Sequence, residues 1–206
     1  MKPDIVLICG APHPNYEFIR QYICTPSSII AVDSGLDVCR TLGLTPDYCI
    51  GDFDSVSDSA KEHIAHLPHQ VHPCEKDASD TELAIEKAVS FSPRSITLLN
   101  ASGGRADHYL FNVRLLCAYP GLLHLTDEYG TLTALEKGIV HSLALKDGQL
   151  FSLIPCQEGV PITIRGARYP LKNAHFTSVT RTLSNISQGN TDIFFNDGYF
   201  LLFLPS

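Results

Sequence analysis

Basic residues are scarce in this 206-residue chain: 15 Lys and Arg stand against 22 Asp and Glu, a formal charge of −7. This balance argues against a general nucleic-acid binder, which needs basic surface to displace counterions. The same balance speaks against docking on an anionic membrane. It leaves room for a phosphorylated substrate, because a bound metal ion inverts the local sign. Long apolar runs are missing as well, none approaching the roughly 20 residues that span a bilayer. Met1-Lys2-Pro3-Asp4 leads straight into an apolar run, without the cleavage site of a signal peptide. The seven cysteines are odd in number and form no C-x-x-C pair. Neither a disulfide framework nor a structural zinc site is expected, and buried, reduced thiols in a cytoplasmic protein are. There is also no G-x-x-x-x-G-K-[ST] loop of the Walker type.

What is present is a globular composition, 44% hydrophobic and 18% charged, in enough chain for one large domain or two small ones. The first part alternates apolar runs with helical patterns. Ile5 to Cys9, Ser28 to Asp33, Tyr48 to Ile50 and Ile96 to Leu99 read as buried strands. Gly35 to Leu42, Ser57 to His66, a helix capped by Ser79, and the stripe Leu110, Val113, Leu116, Cys117 read as helices. After Pro120 helical periodicity fades. Short β-rich runs separated by glycines follow, beginning with Leu122 to Thr126 and including His175 to Val179 and Asp192 to Phe195. The expected architecture is an α/β domain with a mostly parallel, Rossmann-like sheet over residues 1–124. An all-β sandwich or barrel over 125–206 follows it.

Four motifs stand at the predicted C-terminal edge of the sheet, where open α/β sheets place ligands. Asp33-Ser34-Gly35 follows a strand; Asp33 faces a crevice or caps the next helix. Gly51-Asp52-Phe53-Asp54-Ser55 carries two acids one residue apart, a pair that suits Mg²⁺ and equally a solvated, capping turn. In Lys76-Asp77-Ala78-Ser79-Asp80, Asp80 is either a dipole-stabilised first-turn residue or a metal ligand, and Lys76 can meet a phosphate. Ser102-Gly103-Gly104-Arg105-Ala106-Asp107-His108 combines backbone N–H groups, a helix start and a guanidinium. All three suit an anion, and the segment is equally a tight turn with Asp107 as cap. His108 and Asn112 share a helix face. Each motif has a structural explanation alone; together they describe a Mg-nucleotide site. His13 and Asn15 stand at the same edge, in position to touch a nucleotide or to serve the Pro12-x-Pro14 turn.

In order and spacing these motifs resemble the thiamine pyrophosphokinase family. That family carries an Asp-Gly-Gly-Ala-like segment, then Gly-x-x-Pro-Asp running into Gly-Asp-Phe-Asp-Ser, Lys-Asp-x-x-Asp and Gly-Gly-Arg-x-Asp-His-x-x-x-Asn. Tyr169-Pro170-Leu171 and Ser184-Asn185 resemble its C-terminal segments. Ser34, Leu36 and Ile186 depart from its pattern. The resemblance implies pyrophosphoryl transfer from ATP to the hydroxyl of thiamine, releasing AMP. Asp52, Asp54 and Asp80 would hold Mg²⁺, with Asp33 and Arg105 also catalytic. Lys76, Asp77, Gly103, Gly104, Arg105, Asp107, His108 and Asn112 would bind ATP, and Ser184 and Asn185 thiamine. It further implies a homodimer with active sites at the subunit interface, and neither nucleic acid nor membrane as partner. A sibling pyrophosphokinase for a pterin or other heterocyclic alcohol, and a non-enzymatic Mg-nucleotide sensor, are the alternatives.

Overall fold

The computed structural model describes residues 4–23, 28–64, 66–72, 77–175 and 182–206. Two compact units divide the chain: Met1–Leu115 with Leu122–Glu128, and Leu116–Gly121 with Tyr129–Ser206.

The first unit is built on strands β1 (Ile5–Ile8), β2 (Ser28–Val32), β3 (Tyr48–Gly51), β4 (His69–Val71), β5 (Ile96–Leu99) and β6 (Leu123–Asp127). β1 pairs with β2 and β5, β2 with β3, β3 with β4 and β5 with β6, all in parallel. Every residue of β1 and β5 is buried, so both faces need cover. Helices α1 (Tyr16–Tyr22), α2 (Gly35–Leu42), α3 (Asp58–Ile64), α4 (Asp80–Ser90) and α5 (Ala106–Ala118) follow the strands. Val6, Ile8, Leu36, Cys39, Cys49 and Phe53 share one apolar core there. Local chemistry sets the helix ends. Gly43, at φ 69°, closes α2, and the Ser79 hydroxyl accepts from the Glu82 N–H at 3.2 Å to start α4.

Three features depart from the sequence expectations. Helix α1 was not expected, because Ile19 is its one buried residue and so leaves no readable stripe. Asn15 accepts from the Phe18 N–H at 3.1 Å, so its side chain caps this helix. The run Leu122 to Thr126 pairs in parallel with β5 and belongs to the first unit, not to the β-rich part. An apolar run carries no mark of which sheet it joins. Of the thiols, Cys9, Cys39 and Cys49 are buried, and burial pushes Cys9 and Cys39 up to about 12. Cys117 and Cys156 are not fully buried; their sulfurs stand 3.7 Å apart.

The second unit contains β7 (Gly130–Leu135), β8 (Val140–Ala144), β9 (Leu150–Pro155), β10 (Pro161–Ala167), β11 (Leu171–His175), β12 (Asn185–Phe194) and β13 (Phe200–Pro205). All its strand pairs are antiparallel: β13 with β7 and β9, β12 with β8, β9 and β10, and β10 with β11. Phe151, Phe195 and Phe200 fill its core, the last two with ring centroids 4.8 Å apart. The strand expected over 175–179 lies mostly outside the described residues; β11 ends at His175. β12 begins at Asn185, ahead of the expected Asp192, because Ser187, Gly189 and Asn190 hide its alternation. The chain as a whole therefore carries a mixed set of strand pairs and an all-β C-terminal region.

Backbone packs on backbone where β1 meets α2. A Cβ on Gly35 would stand 1.9 Å from the Ile8 carbonyl oxygen. Gly35→Ala is expected to destabilise the fold by about 1–3 kcal/mol through overpacking, read as a lowered urea midpoint.

Candidate active site

The strand ends of the first unit gather the acids. Gly51 lets β3 close on β2: a Cβ there would lie 2.9 Å from the Asp33 Cα. The Asp33 N–H donates to the Ile50 carbonyl at 2.8 Å. Asp33 itself sits in the left-handed region, φ 47°, which Asp tolerates better than most residues. Its Oδ2 accepts from the Ser55 hydroxyl at 2.7 Å. Asp33 Oδ1 is buried, with no hydrogen-bond partner among the described residues. Phe53 is buried at φ 58° and anchors the turn that carries Asp52 and Asp54. One carboxylate oxygen each from Asp33, Asp52 and Asp54 lie within 4.8 Å of one another.

Three like charges so close oppose one another unless a cation joins them. Burial raises the Asp33 pKa; hydrogen bonds from Ser55 and the Ser34 N–H oppose the rise, and the charges of Asp80 and Asp52 add to it. The buried, unpartnered Oδ1 and the convergent hard oxygens are the donor set a divalent cation such as Mg²⁺ takes.

The Asp33 and Asp52 carboxylates border a cleft of about 760 Å³ in the first unit, within the range of small-molecule sites. Asp33, Asp52 and Asp80 line it together with Gly103, Gly104, Arg105, His108 and Asn112. Gly103 and Gly104 have φ 89° and 80°, and α5 starts just beyond them. Their turn and the helix start form a site suited to an anion. Arg105 and Asp107, both exposed, form a two-pronged pair: Nη2 to Oδ2 at 2.6 Å and Nε to Oδ1 at 3.2 Å. The guanidinium holds Asp107 down to about 2. Asn112 is buried and its amide donates to the Ala101 carbonyl at 3.1 Å. Asp54 and Asp77 are exposed, and Lys76 lies outside the described residues.

Ser184 and Asn185 lie in the second unit. Ser184 is exposed at φ 54°, and its N–H donates to the Ser152 hydroxyl at 2.9 Å. Asn185 is buried, and its amide closes on the Tyr169 backbone. Oδ1 accepts from the Tyr169 N–H at 3.1 Å, and Nδ2 donates to the Tyr169 carbonyl at 3.0 Å. The two C-terminal motifs of the sequence thus meet. Among the cleft residues that escaped the sequence reading is Asn100, directly after β5. Its signal was a lone amide at the end of the buried run Ile96 to Leu99.

The sequence profile of the thiamin pyrophosphokinase catalytic domain matches residues 19–123, and that of the thiamin pyrophosphokinase vitamin B1 binding domain matches residues 139–200. The chain belongs to the thiamin pyrophosphokinase family. This family transfers a pyrophosphoryl group from ATP to thiamine, giving thiamine diphosphate and AMP. A thiamine pyrophosphokinase from Bacillus subtilis (strain 168) is 29% identical over 181 residues, covering 84% of each chain. Among solved structures, thiamin pyrophosphokinase from Geobacillus thermodenitrificans is similar at 29% identity. Its TM-score is 0.83, with 98% of this chain and 97% of that one covered. The B. subtilis thiamine pyrophosphokinase structure gives a TM-score of 0.82 at 25% identity, covering 98% and 99%.

The thiamin pyrophosphokinase catalytic profile encloses all the acids of the cleft, and the B1-binding profile encloses Ser184 and Asn185. Two of the three departures from the family pattern acquire a place. Leu36 is fully buried in the core of the first unit, so its bulk serves packing. Ser34 lines the cleft, and its hydroxyl fills the space where a Cβ on Gly10 would fall, at 1.9 Å. No helix among the described residues is long and apolar enough to cross a membrane.

Proposed function

We propose that this chain is a Mg²⁺-dependent thiamine pyrophosphokinase, with its nucleotide site in the cleft of a doubly wound, Rossmann-like first unit. The observation that carries this reading is the convergence of Asp33, Asp52 and Asp54, with the Asp33 Oδ1 buried and unpartnered among the described residues. These three, with Asp80 beside Asp33, would hold the cation, which when bound screens the negative charge of the phosphates. The thiamine hydroxyl attacks the β-phosphorus of ATP. A new O–P bond forms as the bridging bond to the α-phosphate breaks, AMP leaves, and the hydroxyl proton passes to a carboxylate of the cluster. The Gly103 and Gly104 N–H groups and the α5 N-terminus hold phosphate oxygens. Arg105 exchanges its contact with Asp107 for phosphate, while His108 and Asn112 present one face of α5 to the nucleotide. Asp77 directly precedes Ala78 and Ser79 at the start of α4, and Lys76, outside the described residues, would meet a phosphate.

In this reading Ser184 meets thiamine, and Asn185 holds the Tyr169 segment in shape. We infer a homodimer that joins the cleft of one subunit to the β-rich unit of the other. Exposed Val140, Leu150, Ile154, Tyr169 and Leu183 on the second unit support it. A cytoplasmic location accords with its free thiols.

The test is an assay of the purified chain with Mg-ATP and thiamine. The expected products are AMP and thiamine diphosphate in equal amounts, lost on removal of the metal with EDTA. AMP release with a pterin alcohol but not with thiamine would establish the sibling activity instead. Binding of Mg-ATP with no turnover on any alcohol would establish a sensor.

A further inference from the structure

Asn100 stands where a parallel ladder runs out. β1 and β5 are in register to Ile8 and Leu99, and the Cys9 N–H still reaches the Leu99 carbonyl at 2.9 Å. Beyond that point β1 turns into the loop before α1 and needs other partners. Asn100 supplies them. Its Nδ2 donates to the carbonyls of Cys9 and Ala11, each at 2.8 Å, and its own carbonyl accepts from the Ala11 N–H at 3.1 Å. Both amide hydrogens are in use. The residue also sits at φ 53°, and Asn combines tolerance of that conformation with two donors on a short stem. Gly accepts the conformation and has no donors; an ionised Asp has none either.

The loop so held is a wall of the cleft. Cys9, Gly10, Ala11 and Pro12 line it. Pro12 in turn abuts the glycine turn: a Cβ on Gly104 would fall 2.5 Å from the Pro12 Cγ. The place of Gly103 and Gly104 therefore depends on where Pro12 stands, and Pro12 directly follows the residue that Asn100 clamps.

We propose that Asn100 is a positioning residue for the phosphate end of the cleft, its amide fixing the β1–α1 loop so that Pro12 braces the Gly103–Gly104 turn. The proposal deepens the functional reading above and rests on ATP occupying this cleft.

Two variants separate the amide from the backbone turn. Asn100→Gly keeps the left-handed conformation and removes the clamp; Asn100→Asp keeps the size and turns a carboxylate toward two carbonyl oxygens. Mg-ATP affinity is measured by calorimetry without thiamine, beside KM for each substrate, kcat, and hydrogen exchange. Both variants are expected to weaken Mg-ATP binding and raise KM for ATP roughly tenfold, the worth of about two hydrogen bonds. KM for thiamine should stay in place and kcat should fall less. Exchange should quicken at the Ala11 amide while the β12 amides keep their protection. Wild-type Mg-ATP affinity in Asn100→Gly overturns the proposal, as does a rise in exchange spread evenly over the chain. A wild-type chain that binds Mg-ATP but makes no thiamine diphosphate sinks the thiamine reading alone, because calorimetry still reads the clamp. A wild-type chain that binds no Mg-ATP overturns both.

Discussion

Asp54→Asn is expected to lower the rate of thiamine diphosphate formation by roughly 10²–10³-fold, the usual cost of removing one group that stabilises transition-state charge. The expectation follows from the position of the carboxylate. It is exposed, yet one of its oxygens lies within 4.8 Å of oxygens from Asp33 and Asp52. An exposed side chain has little else to stabilise, so the fold should hold to within about 0.5 kcal/mol. The turn survives as well, because the backbone N–H of residue 54 donates to Asp52 Oδ1 at 3.1 Å. Loss of one ligand charge should raise the Mg²⁺ concentration needed for half-maximal rate, and excess Mg²⁺ should restore part of the activity. Glu62→Gln, an exposed acid on α3, is the control. It removes the same charge from the protein as a whole and should leave the rate unchanged. Full activity in Asp54→Asn, or an equal loss in Glu62→Gln, removes the metal assignment.

The sequence carried the acids and the glycines of the cleft more plainly than the rest of the fold. Strands buried on both faces are continuous apolar runs, so Ile5 to Cys9, Ser28 to Asp33 and Ile96 to Leu99 were legible. Their ends in turn placed Asp33 and the Gly103–Gly104 turn at one edge. Ser79 was legible as a cap because a cap is a local hydrogen bond. The motifs also placed Asp33, Asp52 and Asp54 at one edge; how closely their oxygens approach was not legible, since it depends on β3 pairing with β2 and on the closeness Gly51 allows. The backbone contacts of Asn100 and Asn185 were hidden for a related reason. Each residue uses its amide on backbone groups far along the chain, Cys9 and Ala11 in one case and Tyr169 in the other. A side chain that replaces ladder hydrogen bonds has no periodicity of its own. Asn185 reads as a ligand contact from its motif; the structure adds that it is buried and makes three hydrogen bonds to the Tyr169 and Ile186 backbones.

The sharpest separation of function from stability is expected at Asp33. Its carboxylate is held where burial and the charges of Asp52 and Asp80 disfavour ionisation, against the help of Ser55 and the Ser34 N–H. A carboxyl whose folded pKa is raised contributes stability below its unfolded pKa, near 3.8. That contribution is lost as pH rises through the folded value. As pH rises the metal-free wild type therefore takes on a destabilising charge that Asp33→Asn does not. Asn keeps the left-handed backbone and an oxygen for Ser55, and its amide carries no charge to oppose Asp52 and Asp80. In EDTA at neutral pH the variant should melt above the wild type, and the gap should close as pH falls below the ordinary carboxylate range. Saturating Mg²⁺ should reverse the order, because only the wild type gains the free energy of binding the cation. Thiamine diphosphate formation in the variant should fall by about 10²-fold or more. A variant that melts below the wild type in EDTA at neutral pH would show that Asp33 is held for the fold and not for the cation.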